Sequence, residues 1–450
     1  MKVPRIEAEL GIEVYASKGK GIGGCIRCSP EDFIVEEILT DGFKASIDVK
    51  NEKSLFSGHG RYLICALVKR RWDTLVVVQK IAKSIGLSPE RISIAGIKDA
   101  EALTAQHISL AGVSPETILK VNLKDVNIKP LRFSDKEISS KNLLGNHFTI
   151  IVRSIKYDPL TVQKRIEKNR GELMDFGGVP NFFGHQRFGT VRPITHQVGK
   201  YIVKGDFEKA ALLFLSQPSS YEHLDAKNAR EFLRDTQDFK GALKRFPRSF
   251  VYERLMLGHL SKYPKDFQGA FHRLPINLCR LFVQAYQSFL FNKFLSERIR
   301  RGIPLNKAQI GDYVVELDGI GLPTTIFNKT EEHNVASINE KISRGKMTVA
   351  IPLIGFKQSS SNGVQGEIEK GILEKESISS NDFRISKMPQ ANSPGGLRKV
   401  VTPILNLEIK EIATSNDFAV KFGFTLHKGS YATILLREFM KPKDLVREGF

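Results

Sequence analysis

Residues 405–427 constrain the fold of this chain more than any other stretch. Leu405, Leu407 and Ile409 alternate with Asn406, Glu408 and Lys410, and Val420, Phe422, Phe424 and Leu426 alternate with Lys421, Gly423, Thr425 and His427. A period of two with one apolar side marks a half-buried strand. A two-stranded hairpin is marginal in water, so these strands need a sheet begun elsewhere. Residues 1–190 offer one. Strand-like runs alternate there with short helices, and Phe148, Ile150 and Val152 repeat the two-residue period. One of those helices starts at the capping run Trp72-Asp73-Thr74, with Leu75, Val78, Ala82 and Ile85 as its apolar face and Gly86 at its end.

Between the two halves the pattern changes. Residues 200–303 are mostly helical, most plainly 277–301, where Asn277 can cap the helix and Gly302 can end it. Arg298, Arg300 and Arg301 crowd its last turn, where cations suit the helix dipole. Strand-like pieces follow at 312–316 and 347–351, then polar stretches at 358–363 and 389–396. The second polar stretch reads as a linker or exposed loop. The expected fold is α+β, with one split domain formed by 1–199 and 393–450 and an insertion at 200–392.

Charge narrows the partners. The 450 residues carry 68 Lys and Arg against 49 Asp and Glu, a formal net charge of +19. Such an excess favours a polyanion, because each phosphate contact releases counterions, and nucleic acid is the first candidate. A merely basic soluble protein is the plainer alternative. There is no 18-residue apolar run, and MKVPRIEAELGIEVY lacks the apolar core of a signal peptide, so a cytoplasmic protein without a membrane span is expected. Four cysteines are too few for a disulfide scaffold.

Several motifs fail on context. Residues 19–24, GKGIGG, match G-x-G-x-x-G, but the sequel CIRCSPEDFIVEEI has no helical period, so a loop is expected and no nucleotide cofactor. Cys25 and Cys28 form a single CxxC with no second pair nearby, and the ten histidines show no metal-ligand spacing, so no metal is expected. No G-x-S-x-G or P-loop occurs. What remains is carboxylate chemistry, nucleic-acid binding, or both.

Three stretches carry that reading. Lys69-Arg70-Arg71 beside Trp72 suits RNA phosphates and unstacked bases, or is a solvated charge cluster; the basic tract 240–254 is equally ambiguous. Residues 179–189, VPNFFGHQRFG, fit neither helix nor strand, and their phenylalanines are either core plugs or a platform for a base. Asp99 stands on the turn Gly96-Ile97-Lys98-Asp99 after a short strand-like run; it can cap a helix at 100–103 or act chemically.

Together these pieces resemble the tRNA pseudouridine synthase D (TruD) family over most of the chain and in the family's order. The carriers are Pro30-Glu31-Asp32-Phe33-Ile34-Val35-Glu36-Glu37, then Gly96-Ile97-Lys98-Asp99 with Ala102, Thr104 and Gln106, and then 179–189. Residues 284–292 and Lys428-Gly429-Ser430-Tyr431-Ala432-Thr433 with Leu436-Arg437-Glu438 complete the set. The resemblance implies a pseudouridine synthase domain with a mixed, mainly antiparallel sheet in circularly permuted order, interrupted by an α/β insertion. It implies tRNA as partner, a uridine such as that at position 13 as target, and no cofactor.

The resemblance also implies roles. Asp99 is the catalytic carboxylate, and Gly96 lets the chain turn closely beneath the base. Arg27 stands where the family commonly has Lys, and is the preferred cationic partner over Lys98. Phe183 stacks on the flipped uracil, Asn181 positions Asp99, and Phe33 packs under the site. Lys69, Arg70, Arg71 and Arg187 are expected on RNA. A catalytically idle RNA-binding or tRNA-chaperone protein on the same scaffold is the competing reading.

Overall fold

The structure is a computed structural model that describes residues 2–48, 59–414 and 417–450. The N-terminal part supplies β1 (Phe33–Leu39), β2 (Tyr62–Arg70), β3 (Ile92–Ile94), β4 (Leu103–Ala111), β5 (Val126–Ser134), β6 (Leu143–Val152) and the short β7 (Val179–Pro180). The middle supplies β8 (Tyr313–Leu317), β9 (Pro323–Lys329) and β10 (Met347–Leu353), and the C-terminal part β11 (Gly396–Lys399), β12 (Val401–Thr402), β13 (Leu405–Thr414) and β14 (Asp417–His427).

Among the described residues, eight strands form one sheet in the order β13-β14-β6-β1-β4-β2-β5, with β3 on β4. Only β1 and β4 run parallel; every other pair is antiparallel. The α+β, mainly antiparallel expectation holds. The two C-terminal strands join the older half through β14 and β6, where Phe424 faces Phe148, Phe422 faces Ile150 and Val420 faces Val152. All six are buried, and the Phe148 and Phe424 rings stack at 5.4 Å. The register is fixed because a one-residue slip would turn this row to the other face.

The middle of the chain forms helices around a four-stranded sheet, β11-β10-β8-β9. Its axis is the helix Ile276–Arg300, which packs on Thr195–Val203. Pro275, not Asn277, stands at its N-cap. Residues 389–396 are no exposed linker: Ala391 is buried and the Ser393 hydroxyl donates to Gln287 Oε1 at 2.9 Å. Because β11 pairs with β10, the chain leaves the small sheet only after Lys399.

Two local expectations shift. The helix Thr74–Ser84 is capped by Asp73, whose carboxylate accepts from the Leu75 and Val76 amides. Its buried face is Thr74, Val77, Val78, Ile81 and Ala82, while Leu75 is exposed. The basic tract 240–254 is partly structural, since Arg254 donates to the Leu243 and Phe246 carbonyls. Among the described residues, no helix is long and apolar enough to cross a membrane.

Candidate active site

The turn 95–102 between β3 and β4 contains no helix, so Asp99 is not a helix cap. Buried side chains from the surrounding sheet and helix brace it. Gln106 Nε2 donates to the Gly96 carbonyl at 3.1 Å, and Thr74 Oγ1 accepts from the Lys98 amide at 3.1 Å. Lys69 Nζ donates to the Asp99 and Trp72 carbonyls, each at 2.7 Å. These are the groups a buried, irregular turn requires, since each unpaired carbonyl would cost about 1–3 kcal/mol. Gly96 itself does not demand glycine: its φ is not positive, and an added Cβ would come no nearer than 3.8 Å to Leu143.

Lys69 therefore has another job than the one its neighbours suggest. It is fully buried beneath the turn and cannot reach RNA; burial pushes its ammonium down to about 8. Arg70 pairs with Glu31 at 2.6 Å on the surface, and Arg71 is exposed. Lys69 and Arg70 are successive residues at the end of β2 and point to opposite faces, whereas Arg71 lies past the strand with a φ of 54°.

The Asp99 carboxylate has two partners. Arg27 Nη2 donates to Oδ2 at 2.8 Å and Gln186 Nε2 to Oδ1 at 2.8 Å. The carboxylate keeps 22% of its side-chain surface exposed and Arg27 13%. Arg27 is over-determined: Nη1 donates to the Gly449 carbonyl at 2.5 Å and the guanidinium lies 4.0 Å over the Phe33 ring. Its φ of 58° is a strained value for a residue with a side chain, held by these contacts. Gly449 is obligatory here, since a Cβ would stand 2.0 Å from the Ile26 carbonyl oxygen.

Cys25 and Cys28 flank Arg27 with their sulfurs 2.7 Å apart. Burial and the Cys25 contact push the Cys28 thiol up to about 12. No group of three or more His, Cys, Asp or Glu among the described residues could hold a metal ion. The 19–24 stretch meets the end of the helix Ala432–Met440, where Ile22 and Gly23 donate to the Phe439 and Met440 carbonyls, and no α-helix follows it directly.

Asp99 opens into a cleft of about 240 Å³ lined by Arg27, Phe33, Phe148, Gln186, Tyr431 and the Lys98–Asn146 pair. That is below the ~300–1,000 Å³ of pockets that enclose drug-sized ligands, a size for one base. Lys98 points away from the Asp99 carboxylate. Its ammonium, 5% exposed, meets Glu37 Oε2 at 2.6 Å and Asn146 Oδ1 at 2.7 Å. Burial alone would raise the Glu37 carboxyl, but His107 and Lys98 outweigh it and hold it below the usual range.

The aromatic loop is placed differently from the expectation. Phe183 does not line the cleft: the Arg398 guanidinium covers its ring at 3.9 Å, and it meets Tyr431 edge-on at 6.4 Å. Tyr431 is the ring that faces the cleft, and burial raises its hydroxyl despite Arg398 and Arg187. Gly184 makes room for it, since a Cβ there would stand 2.8 Å from the ring. Asn181 does not contact Asp99 either. Its Oδ1 accepts from Arg398 at 2.8 Å and its Nδ2 donates to the Lys399 carbonyl at 3.0 Å, tying the loop to β11.

Arg187 is half-buried and bonded to Ser288 and Gln284 of the long helix. Asn292 on that helix clamps Phe183, accepting from its amide at 2.9 Å and donating to its carbonyl at 3.1 Å. Gln186, Asn146 and Arg398 carried no assignment from sequence. Gln186 stood in the loop already singled out, and its polar side chain between glycines was the available signal.

Comparison with known proteins gives matches over nearly the whole chain. Residues 9–439 match the family model described as tRNA pseudouridine synthase D (TruD). The chain is similar to "Probable tRNA pseudouridine synthase D" of Methanosarcina mazei, 42% identical over 451 residues, covering 99% of each chain. It is 39% identical to the protein of that name from Thermococcus onnurineus, covering 95% of this chain and 97% of the relative. It is also similar to the crystal structure of a "tRNA pseudouridine synthase D (TruD)" from Methanosarcina mazei. That match has a TM-score of 0.83 and 40% identity, covering 98% of this chain and 99% of that one.

Proposed function

The chain belongs to the tRNA pseudouridine synthase D family, and on that premise we propose that it isomerises a uridine of tRNA, in the D-stem region at position 13, with Asp99 as the catalytic carboxylate. One observation carries the reading: Asp99 is held by Arg27 and Gln186 at the mouth of a base-sized, aromatic-walled cleft. The reaction breaks the N1–C1′ bond, turns the base and joins C5 to C1′, and the proton released from C5 is balanced by one taken up at N1. Atoms balance without a co-reactant, and one oriented carboxylate serves as nucleophile or base.

The target base must leave its stack to enter the cleft. Tyr431, backed edge-on by Phe183, is the ring on which it stacks, and Phe33 and Phe148 complete the apolar lining. Arg27 fixes the carboxylate by a charge-assisted bond and remains near enough to meet a phosphate. The buried supports beneath the turn argue against an idle RNA-binding protein, since binding alone has no use for so firmly held a carboxylate. The split domain, 1–199 with 393–450, carries the cleft, and the insertion, 200–392, steadies the 181–189 loop through its long helix; the pairing of β11 with β10 supports a return crossing nearer residue 400 than 393. A tRNA substrate supports the cytoplasm as the place of work.

The test is incubation with unmodified tRNA followed by chemical mapping of pseudouridine. Wild type forms it and Asp99→Ala does not. Full activity in Asp99→Ala ends the site assignment, and no product from wild type on any candidate tRNA ends the enzyme reading.

A further inference from the structure

The glycine run 19–24 takes no part in the Asp99 cleft, yet its residues help to wall a second cavity, of about 650 Å³. That volume lies within the ~300–1,000 Å³ of pockets that enclose a whole small ligand, where the cleft has room for a base alone. The run lies tight against its neighbours because it lacks side chains. A Cβ on Gly21 would stand 2.2 Å from the Met440 carbonyl oxygen, and one on Gly24 would stand 2.6 Å from that of Arg153. Further walls come from the connection between β6 and the helix Pro159–Asp175, and from the chain after the helix Ala432–Met440.

An aromatic ring is held at this cavity. Tyr157 is 44% exposed, and the Arg165 guanidinium lies 3.8 Å from its ring centroid. Arg165 is itself fixed, since its Nη1 donates to the Gly21 carbonyl at 2.6 Å. With a cation on one face, the ring offers its other face at a set position, as a stacking surface requires.

Cations from three separate segments surround it. Lys20, Lys156 and Lys443 line the cavity, and among the described residues their ammonium groups have no hydrogen-bond or ion-pair partner. The hydrogen bond and charge of Arg165, with Lys443 and Lys20 behind it, draw the Tyr157 hydroxyl below its ordinary value. Lys441 is committed to Glu438 at 2.8 Å, and Glu448, the one carboxylate of the lining, accepts from the Lys443 and Asp444 amides. A charge run on one segment is ordinarily a solvated face. Here three segments bring unpaired cations around one ring, an arrangement that fits phosphates beside a stacked base.

The cavity adjoins the cleft. Cys25 and Glu448 line the one, and Arg27, bonded to the Gly449 carbonyl, lines the other. The Ile26 amide joins these two segments by donating to the Glu448 carbonyl at 3.0 Å. From Cys25 to Arg27 the chain spans at most about 7 Å, so one RNA can fill both spaces.

We propose that this cavity takes a second, unmodified nucleotide of the same tRNA, its base on Tyr157 and its flanking phosphates among Lys20, Lys156 and Lys443. The proposal rests on the reading of the chain as acting on tRNA, and adds an anchoring site outside the cleft.

Full-length protein is titrated with unmodified tRNA transcript over a range of salt concentrations. Loss of one stacked base raises Kd by roughly 5- to 150-fold, the result expected of Tyr157→Ala, whereas Tyr157→Phe keeps the ring and binds as wild type. The triple variant Lys20→Ala, Lys156→Ala, Lys443→Ala makes the salt dependence shallower by roughly 1.5 in the log–log slope, at ~0.7–0.9 for each of two phosphates. All four side chains are exposed, and thermal midpoints near wild type exclude unfolding as the cause. On wild type, 4-thiouridine-substituted tRNA cross-links to the peptide carrying Tyr157. Absence of that cross-link overturns the proposal, as does unchanged affinity in both the Tyr157→Ala and the triple variant. Weakening by the lysine variant alone also overturns it, leaving a charged surface without a nucleotide pocket. Pseudouridine formation by wild type is scored on the same transcript, so failure of the enzymatic reading shows there and failure of the cavity shows in binding.

Discussion

At the scale of single residues, the two oxygens of Asp99 have unequal partners, and that predicts unequal defects. Arg27 contributes a charged donor, itself pinned by Gly449 and Phe33, whereas Gln186 contributes a neutral one from an exposed position. Hydrogen bonds involving a charged group are worth about 1.5–3 kcal/mol, so Gln186→Ala should lower kcat by about 10-fold or more and leave KM for tRNA nearly unchanged. Arg27→Met should lose considerably more, and single-turnover rates at saturating enzyme check the order. Lys69 and Arg71 make a second contrast. Lys69→Met leaves two part-buried carbonyls without this donor and should lower the unfolding free energy by about 1–2 kcal/mol, read from urea midpoints. Arg71→Glu should leave those midpoints in place and flatten the salt dependence of tRNA binding. Sequence could mark the basic run, but not which of its members faced inward, because that depends on where β2 meets the turn.

At the scale of elements, periodicity made the sheet and the long helix readable. Residues 405–414 and 417–427 alternate because one face of each strand is covered, and 276–300 is long enough for helical spacing to show. Irregular segments were read less well for a physical reason. Their conformation is decided by distant partners, as where Gln287 Oε1 accepts from Ser393 in a stretch that looked like a linker. The same cause keeps Phe183 out of the cleft that Tyr431 lines, since Arg398 arrives from β11, remote in sequence from the loop it covers. Asn292 tests this dependence. Its side chain holds both backbone groups of Phe183 and the Leu10 carbonyl. Asn292→Ala should lower stability by about 2–3 kcal/mol and reduce kcat, as the 181–189 loop loses its clamp and Gln186 drifts from Asp99. Unaltered kcat in the folded variant would show that the loop holds its place without the helix.

At the scale of the whole molecule, the cleft depends on a junction between the two ends of the chain. Tyr431 precedes the buried helix Ala432–Met440, and that helix is anchored by Arg437, which donates to both oxygens of Glu7 at 2.8 Å and to Glu438 at 2.7 Å. Lys441 and Ser17 close the network on Glu438. Burial alone would raise the Glu7 carboxyl, but Arg437 and His185 outweigh it and hold it at about 2, against an ordinary value of 4.5. The sign follows from proton counting. Above pH 4.5 the carboxyl is ionised in both folded and unfolded chains, and its contribution is fully present. Between 4.5 and about 2 the unfolded chain binds a proton that the native one refuses, so stability falls as the pH falls. The shift corresponds to something on the order of 3 kcal/mol. Glu7→Gln should therefore be less stable than wild type at neutral pH, leaving Arg437 with one ionic partner in place of two. The gap in urea midpoints should narrow steadily from pH 5 to pH 3, because acid neutralises in wild type what the substitution has already removed. A gap that stays constant over that range would mean that Glu7 acts by packing and not by charge. Activity measured at neutral pH in the folded Glu7→Gln protein then reports whether the junction positions Tyr431 or only stabilises the fold. A drop in kcat at unchanged tRNA affinity assigns it the positioning role.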